Sequence, residues 1–157
     1  MKLPNTFESI SHSWIPTIYR EKVRSQRTRS YELKVPEREN QAEIFFTLLG
    51  IELKVGKRRF SCPDLATARY LLVFARLGCT KVAIPYDITK ISVLADEFEV
   101  AWQTLLLMLE ENSGTLSPRS RGRRRGAVIR RIREDIYDIG AGEIMPEFKT
   151  STSQRKS

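Results

Sequence analysis

Apolar residues repeat at intervals of three and four along residues 88–111, which is the pattern of an amphipathic helix. The repeat predicts one long helix that begins at Ile88 or Ser92 and ends at Glu111. A stripe of this kind normally faces a core, so we interpret it as core and not as a cofactor slot. Its members are Ile91, Leu94, Ala95, Phe98, Ala101, Trp102, Leu105, Met108 and Leu109.

A second helix is predicted within the segment SCPDLATARYLLVFARLG, residues 61–78. Ser61 and Asp64 stand three residues apart, as in a capping box, and Pro63 suits the first turn because its missing N–H is not needed there. Gly78 is typical of a helix C-terminus. One apolar face is expected, formed by positions 65, 68, 71, 72 and 75.

A β-hairpin is predicted directly before this helix. Residues 51–55 are apolar at alternate positions, which is typical of a half-buried strand. Gly56 and Lys57 predict a tight turn, and residues 58–62 predict the returning strand. The hairpin would carry a basic tip.

Two further segments complete the predicted domain. Residues 79–85 are read as a third strand, ended by Pro85, and residues 41–49 as a short helix or a helix–strand transition, ended by Gly50. The order over residues 35–112 is then α-β-β-α-β-α. We expect an α+β fold with a small three-stranded sheet packed by helices, and with basic, partly disordered arms at both ends.

The remaining chain divides by composition. Trp14, Ile15, Ile18 and Tyr19 form an apolar cluster near the N-terminus, and we expect it to dock on the domain. A C-terminal helix, 126–139, is basic at its start and acidic at its end, which is unfavourable for the helix dipole, so a surface of the same chain or of a partner should hold it. The predicted segments are a basic N-terminal arm (1–34), a globular domain (35–112), an Arg-rich linker (113–125), an amphipathic helix with a docking segment (126–148) and a disordered tail (149–157).

Charge is concentrated in one stretch of the chain. The 157 residues carry a formal net charge of +8, with 27 Lys+Arg and 19 Asp+Glu. Residues 113–133 contain eight arginines and no acid, so the whole excess lies there, since 27 − 8 = 19. A localised excess of this kind indicates an anionic partner.

The residues that enzymes and metal sites require are scarce. His12 is the sole histidine and lies in the arm, so a catalytic triad is not expected. Glu52 and Lys54 form an E-x-K tripeptide, a pattern that metal-dependent nucleases place on a strand. Such an enzyme also needs further carboxylates that converge on the metal, and the sequence predicts none around Glu52. No glycine-rich phosphate loop is present in the sequence. We therefore expect no enzyme activity, no cofactor and no metal site.

Two cysteines are present, Cys62 and Cys79, each in apolar surroundings and without CxxC spacing. They predict buried free thiols in a reducing compartment. The N-terminal residues lack the apolar run of a secretory signal, and no run approaches the about 20 apolar residues of a membrane span. These features predict a soluble, cytoplasmic protein.

Nucleic acid is the expected partner. Arginine pairs with phosphate through a two-pronged guanidinium and stacks on bases. We expect contacts to the RNA or DNA backbone with little base reading, RNA being favoured because arginine-rich segments commonly bind it. The candidate residues are Arg119, Arg121, Arg123, Arg124, Arg125, Arg130, Arg131 and Arg133, assisted by Lys57, Arg58 and Arg59 at the hairpin tip.

A protein adaptor is the alternative. Residues 126–148 could dock on an acidic protein, with Ile129, Ile132, Ile136 and Tyr137 as contacts, although the same helix could simply pack on its own domain. An anionic membrane surface is less favoured, because the polar face turns acidic after residue 133. The two main alternatives differ in what they need, namely free arginines for nucleic acid and a free isoleucine stripe for an adaptor.

Overall fold

The computed structural model describes residues 14–143 and confirms the α+β class. His12, the last five residues of the docking segment and the predicted tail 149–157 lie outside the described residues. The elements are α1 (Ile15–Ile18), which continues as a π-helical turn (Tyr19–Val23), β1 (Thr28–Glu32), β2 (Ala42–Thr47), β3 (Gly50–Val55), β4 (Arg58–Cys62), α2 (Leu65–Leu77), β5 (Lys81–Pro85), α3 (Ile88–Ser113) and α4 (Pro118–Ile139).

The strands form two small antiparallel sheets. One contains β2, β3 and β4 in that order, and the other pairs β1 with β5. The predicted hairpin is thus confirmed, as is a three-stranded sheet, but its third strand is β2 and not residues 79–85. Strand β5 is instead buried in the core and takes its hydrogen bonds from β1, which belongs to the predicted N-terminal arm.

Residues 41–49 form a strand and a turn, so the helix predicted there is wrong. The register sets Ala42 opposite Val55 and Ile44 opposite Leu53, which places these four apolar residues on the face that packs against α2. Phe45 lies on the other face, beneath Lys54 and Arg59. Leu48 and Leu49 make the turn. Gly50 follows with φ +134°, a backbone conformation that favours glycine.

Helix α2 is bounded by two local signals. Its N-terminal cap is Asp64, whose carboxylate accepts a hydrogen bond from the Thr67 amide at 2.7 Å. The cap is therefore three residues later than the capping box that Ser61 predicts. Gly78 ends the helix as expected, with φ +77°, and the Cys79 amide donates to the Phe74 carbonyl at 3.0 Å.

The core lies where α2 crosses α3 beneath both sheets. Phe74 and Phe98 meet edge to face with ring centroids 4.9 Å apart, and Tyr70 packs on both rings. The stripe predicted on α3 is buried here, apart from the half-buried Met108. Cys62 and Cys79 are buried free thiols, as predicted.

The N-terminal segment from residue 14 onward is part of this body. Ile15, Ile18 and Tyr19 are buried, so the predicted docking of the apolar cluster is confirmed. The Tyr19 hydroxyl accepts a hydrogen bond from the Ala83 amide at 2.9 Å and donates to the Gly140 carbonyl at 2.7 Å. One phenol therefore connects α1, β5 and the end of α4.

Helix α4 begins at Pro118, well before the predicted start at Gly126. Ser117 caps it by accepting from the Ser120 amide at 3.2 Å, and Pro118 occupies the first turn. Most of the run predicted as a linker, 113–125, is consequently helical. None of the helices within residues 14–143 has the length and apolar character needed to cross a membrane.

Candidate nucleic-acid interface

Three exposed arginines share one side of α4. The spacing from Arg119 is four residues to Arg123 and eleven residues to Arg130. All three side chains therefore lie within about 40° of one another around the helix axis. All three are exposed, and none has a hydrogen bond or ion pair with the residues from 14 to 143. We call these three residues the arginine face. Its side chains are available to an anionic ligand.

Arg121 and Arg125, in the first half of α4, are held by neighbouring oxygen atoms. Arg121 donates to the carbonyls of Gly114 at 2.8 Å and Leu116 at 3.1 Å, and so fastens the loop before the helix. Arg125 binds both carboxylate oxygens of Glu39. That bond raises the pKa of Arg125 above its ordinary value.

Arg131 forms an ion pair with Asp135, one turn further along the helix, at 3.3 Å. Arg124 is only half-buried, but its Nε is enclosed and has no hydrogen-bond partner among the described residues. Arg124 and Arg131 lie about two turns apart on a second side of the helix, about 100° from the arginine face.

Arg133, which the sequence predicts to contact phosphate, has a structural contact in this fold. Its side chain is buried, and Nη1 donates to the carbonyl oxygen of Leu77, the last residue of α2, at 2.7 Å. A positive charge at that position also suits the negative end of the α2 dipole. The eight arginines of the run therefore serve different purposes.

A groove runs beside the arginine face, between α4 and residues 37–39. It has a volume of about 550 Å³. Gly126 and Ala127 line its helix side, and these two residues have little or no side chain to fill it. Arg38, which the sequence reasoning missed, joins Arg123 and Arg130 along this groove. The residues of the groove are Glu37, Arg38, Glu39, Arg123, Gly126, Ala127, Ile129, Arg130 and Arg133.

Both acids of the groove are already engaged. Glu37 accepts a hydrogen bond from the Tyr137 hydroxyl at 2.9 Å, and Glu39 is bound by Arg125. Arg38, Arg123 and Arg130 are the groove arginines whose side chains have no hydrogen bond or ion pair among the described residues. The local balance is thus positive although two carboxylates are present.

The acidic end of α4 meets arginines of the basic N-terminal arm. Arg20 and Arg24 line one cleft with Asp135 and Asp138, and Arg24 donates to the Gly142 carbonyl just beyond the helix. This contact places positive charge at the negative end of the helix dipole, which the sequence of α4 alone does not supply. The surface that holds the helix belongs to the same chain.

The basic turn of the hairpin is separate from the arginine face. Arg59 pairs with Glu52 at 3.2 Å and lies over the Phe45 ring, while Arg58 donates to the Lys34 carbonyl at 3.3 Å. Lys57 is exposed. The turn borders an open cleft of about 490 Å³ that has Gly56 on one side and Arg125 on another.

The residues predicted to bind a protein partner are used within the chain. Ile129, Ile132 and Ile136 are buried in the core, which matches the reading in which the helix packs on its own domain. Tyr137 remains partly exposed, but its hydroxyl accepts from the Thr80 amide at 3.0 Å as well as donating to Glu37. In this fold the isoleucine stripe is not free for a partner.

The described residues show no arrangement for metal-dependent chemistry around Glu52. That carboxylate pairs with Arg59, and Lys54 lies over the Phe45 ring at 5.6 Å. Between residues 14 and 143, His, Cys, Asp and Glu side chains nowhere gather in groups of three that could hold an ion.

Comparison of the chain with known protein families, with curated proteins and with solved structures finds no match in any of the three.

Proposed function

We propose that this protein is a non-catalytic nucleic-acid-binding protein that contacts the phosphate backbone through the arginine face, acting as a regulator or assembly factor. RNA is the favoured target. The observation that carries the proposal is that Arg119, Arg123 and Arg130 are exposed on one side of α4 without an acidic partner among the described residues.

The spacing of the arginine face fits a polyanion. Eleven residues of helix span about 16 Å, and duplex nucleic acid presents several phosphates over such a length. Each guanidinium that neutralises a phosphate releases a condensed counterion, so binding should be strong at low salt and weak at high salt. Arg38 extends the same positive surface across the groove.

The N-terminal half of α4 breaks two local rules of helix stability. Its first turn is basic and contains no acid, although the N-terminal end of a helix is positive. Gly122 and Gly126 lie inside the helix with no atom within 4 Å of an added Cβ, so alanine would fit there and favour the helix. Unfavourable local choices of this kind are expected at functional sites. A bound polyanion would remove the charge penalty.

An adaptor on an acidic protein would use the same arginines but would need an apolar anchor. The predicted anchor residues Ile129, Ile132 and Ile136 are buried in the core. This burial favours nucleic acid over the adaptor function for the surface of α4.

Fluorescence anisotropy with single-stranded RNA, duplex DNA and heparin over a salt series tests the proposal. The variant Arg123→Ala/Arg130→Ala removes two charges of the arginine face. Its matched control, Lys81→Ala/Lys90→Ala, removes two charges that are also exposed, from β5 and α3. Point variants are preferred to truncation after residue 112, because truncation would also remove buried residues of α4.

We expect the arginine double variant to lose affinity and to flatten the plot of log K against log salt by about 1.4 to 1.8, the contribution of two phosphate contacts. The lysine double variant should bind like the natural chain. Equal losses in both variants, or equal affinity for heparin and both nucleic acids, would show only non-specific attraction and would overturn the proposal.

A further inference from the structure

Strand β2 is an apolar edge of its sheet. The sheet order leaves one side of β2 without a strand, and within residues 14–143 no backbone hydrogen bond reaches that side. Residues 44–51, IFFTLLGI, carry no charge. Phe46, Leu48 and Leu49 are 71%, 106% and 96% exposed. An uncharged strand edge with exposed apolar side chains readily pairs with another strand.

The opposite edge of the same sheet is protected. Strand β4 carries the exposed Arg58 and Arg59, and charged side chains on an edge strand discourage pairing. Strand β2 has a single charged residue, Glu43, near its start. The difference between the two edges points to β2 as an interaction surface.

We infer that β2 pairs antiparallel with β2 of a second copy of this chain, with the two Phe45 residues facing each other across a two-fold axis. In this register Ile44 lies opposite Phe46 of the second copy, and Ala42 lies opposite Leu48, the first turn residue after β2. Glu43 lies opposite Thr47, so like charges do not meet. The two sheets become one continuous sheet of six strands, and both copies use the same patch.

The free edge of β2 is better suited to a second strand than to a lipid bilayer. A lipid bilayer could accept Phe46, Leu48 and Leu49, but hydrocarbon cannot satisfy the free amides and carbonyls of an inserted edge. A strand satisfies both the backbone groups and the apolar side chains. The β2 sequence matches itself, because each apolar residue meets another apolar residue when the strand is paired about Phe45.

Light scattering coupled to size-exclusion chromatography of the full chain, across a dilution series, gives the first test. The expected mass is twice 18.2 kDa. Phe46→Lys should shift the dimer to monomer, since it places a charge within the paired edge. Val100→Lys, at a similarly exposed position on α3 (61%), should leave the dimer unchanged.

Oxidative cross-linking tests the register independently and does not depend on the folding of the Phe46 variant. Phe45→Cys should form a covalent dimer, because directly opposed Cβ atoms in a sheet are about 5 Å apart and within disulfide reach. Thr47→Cys should not, because the two positions would lie four residues apart along the strands, about 13 Å. Cys62 and Cys79 are buried, and the natural chain gives the background level of cross-linking.

A monomeric natural chain at every concentration would overturn the proposal, as would a dimer that Val100→Lys disrupts and Phe46→Lys does not. Stronger cross-linking through Thr47→Cys than through Phe45→Cys would also overturn it. Co-sedimentation of a monomeric natural chain with phosphatidylcholine vesicles, lost in Phe46→Lys, would assign the apolar edge to a bilayer instead.

Discussion

Arg133 reaches from α4 to the carbonyl oxygen of Leu77, the last residue of α2, and donates a hydrogen bond of 2.7 Å. Arg130, one turn earlier, is exposed and has no hydrogen bond or ion pair with the described residues. Two arginines of the same basic run thus act differently. One joins two helices of the core, and the other is available at the surface.

Replacing Arg133 with Met should lower the free energy of unfolding by about 2 kcal/mol, because the substitution leaves a buried carbonyl without its charged donor. Arg130→Met should change it by less than about 0.5 kcal/mol, as is usual for an exposed site. Urea denaturation followed by circular dichroism measures both. Equal effects in the two variants would contradict the division between structural and surface arginines.

Two glycines should respond in opposite directions to alanine. Gly78 has φ +77°, and an added Cβ would lie 2.2 Å from the carbonyl oxygen of Arg38, so Gly78→Ala should cost at least about 2 kcal/mol. Gly126 lies inside α4 in open space, so Gly126→Ala should stabilise the fold by about 0.5 to 1 kcal/mol. Thermal and urea denaturation test the pair. Destabilisation by Gly126→Ala would be inconsistent with an uninterrupted helix α4.

The elements that the sequence predicts well are those with local signals. Helices α2 and α3 have long apolar repeats, and α2 also ends at a glycine. The turn of Gly56 and Lys57 contains a glycine with φ +60°, which suits a two-residue hairpin. In each case the residues within the element or directly beside it determine its structure.

The elements that the sequence pattern does not predict depend on distant parts of the chain. The turn between β2 and β3 consists of two leucines, which carry no turn signal. Strand β1 is polar, and its place is fixed by β5, about fifty residues later. The first half of α4 contains glycines and consecutive arginines, which disfavour a helix, and only the Ser117–Pro118 cap marks its start.

The basic site was predictable as a stretch but not residue by residue. Arg125 and Arg133 look like their neighbours in the sequence, yet their partners, Glu39 and Leu77, stand 86 and 56 residues away. Arg38 joins the groove from an equally distant loop. Which arginines remain free is therefore a property of the tertiary structure.

Glu39 should limit the proposed binding of nucleic acid. It lies in the groove beside the arginine face and also neutralises Arg125. Glu39→Gln should strengthen binding at low salt and steepen the salt dependence by up to about 0.9, because it removes a repulsive charge and releases one guanidinium. Fluorescence anisotropy with the preferred nucleic acid measures the change.

Glu52→Gln is the matched control for this prediction. It also adds one net positive charge and releases an arginine, Arg59, but on the hairpin sheet. Its effect should be smaller than that of Glu39→Gln. If the two variants gain equally, net charge alone governs binding and the groove has no special part in it.

The thiol of Cys79 should make the protein less stable in alkaline solution. Burial raises the pKa of Cys79 from 9.0 to about 12. The unfolded chain releases this proton above pH 9 while the folded chain keeps it, so the free energy of unfolding should fall by about 1.4 kcal/mol per pH unit between pH 9 and 12. Below pH 9 the Cys79 thiol is protonated in both the folded and the unfolded chain, so no stability is lost through its ionisation there.

Urea denaturation at pH 8, 9 and 10 tests the effect with Cys79→Ala and, as a control, Cys62→Ala. Burial also raises the pKa of Cys62, but that residue is less deeply enclosed. Tyr19, whose pKa burial raises to about 12, adds its own destabilisation only above its ordinary value of 10.0. Cys79→Ala should therefore flatten the decline between pH 9 and 10, whereas Cys62→Ala should retain most of it. A decline that persists unchanged in Cys79→Ala would show that this thiol is not protected from ionisation by the core.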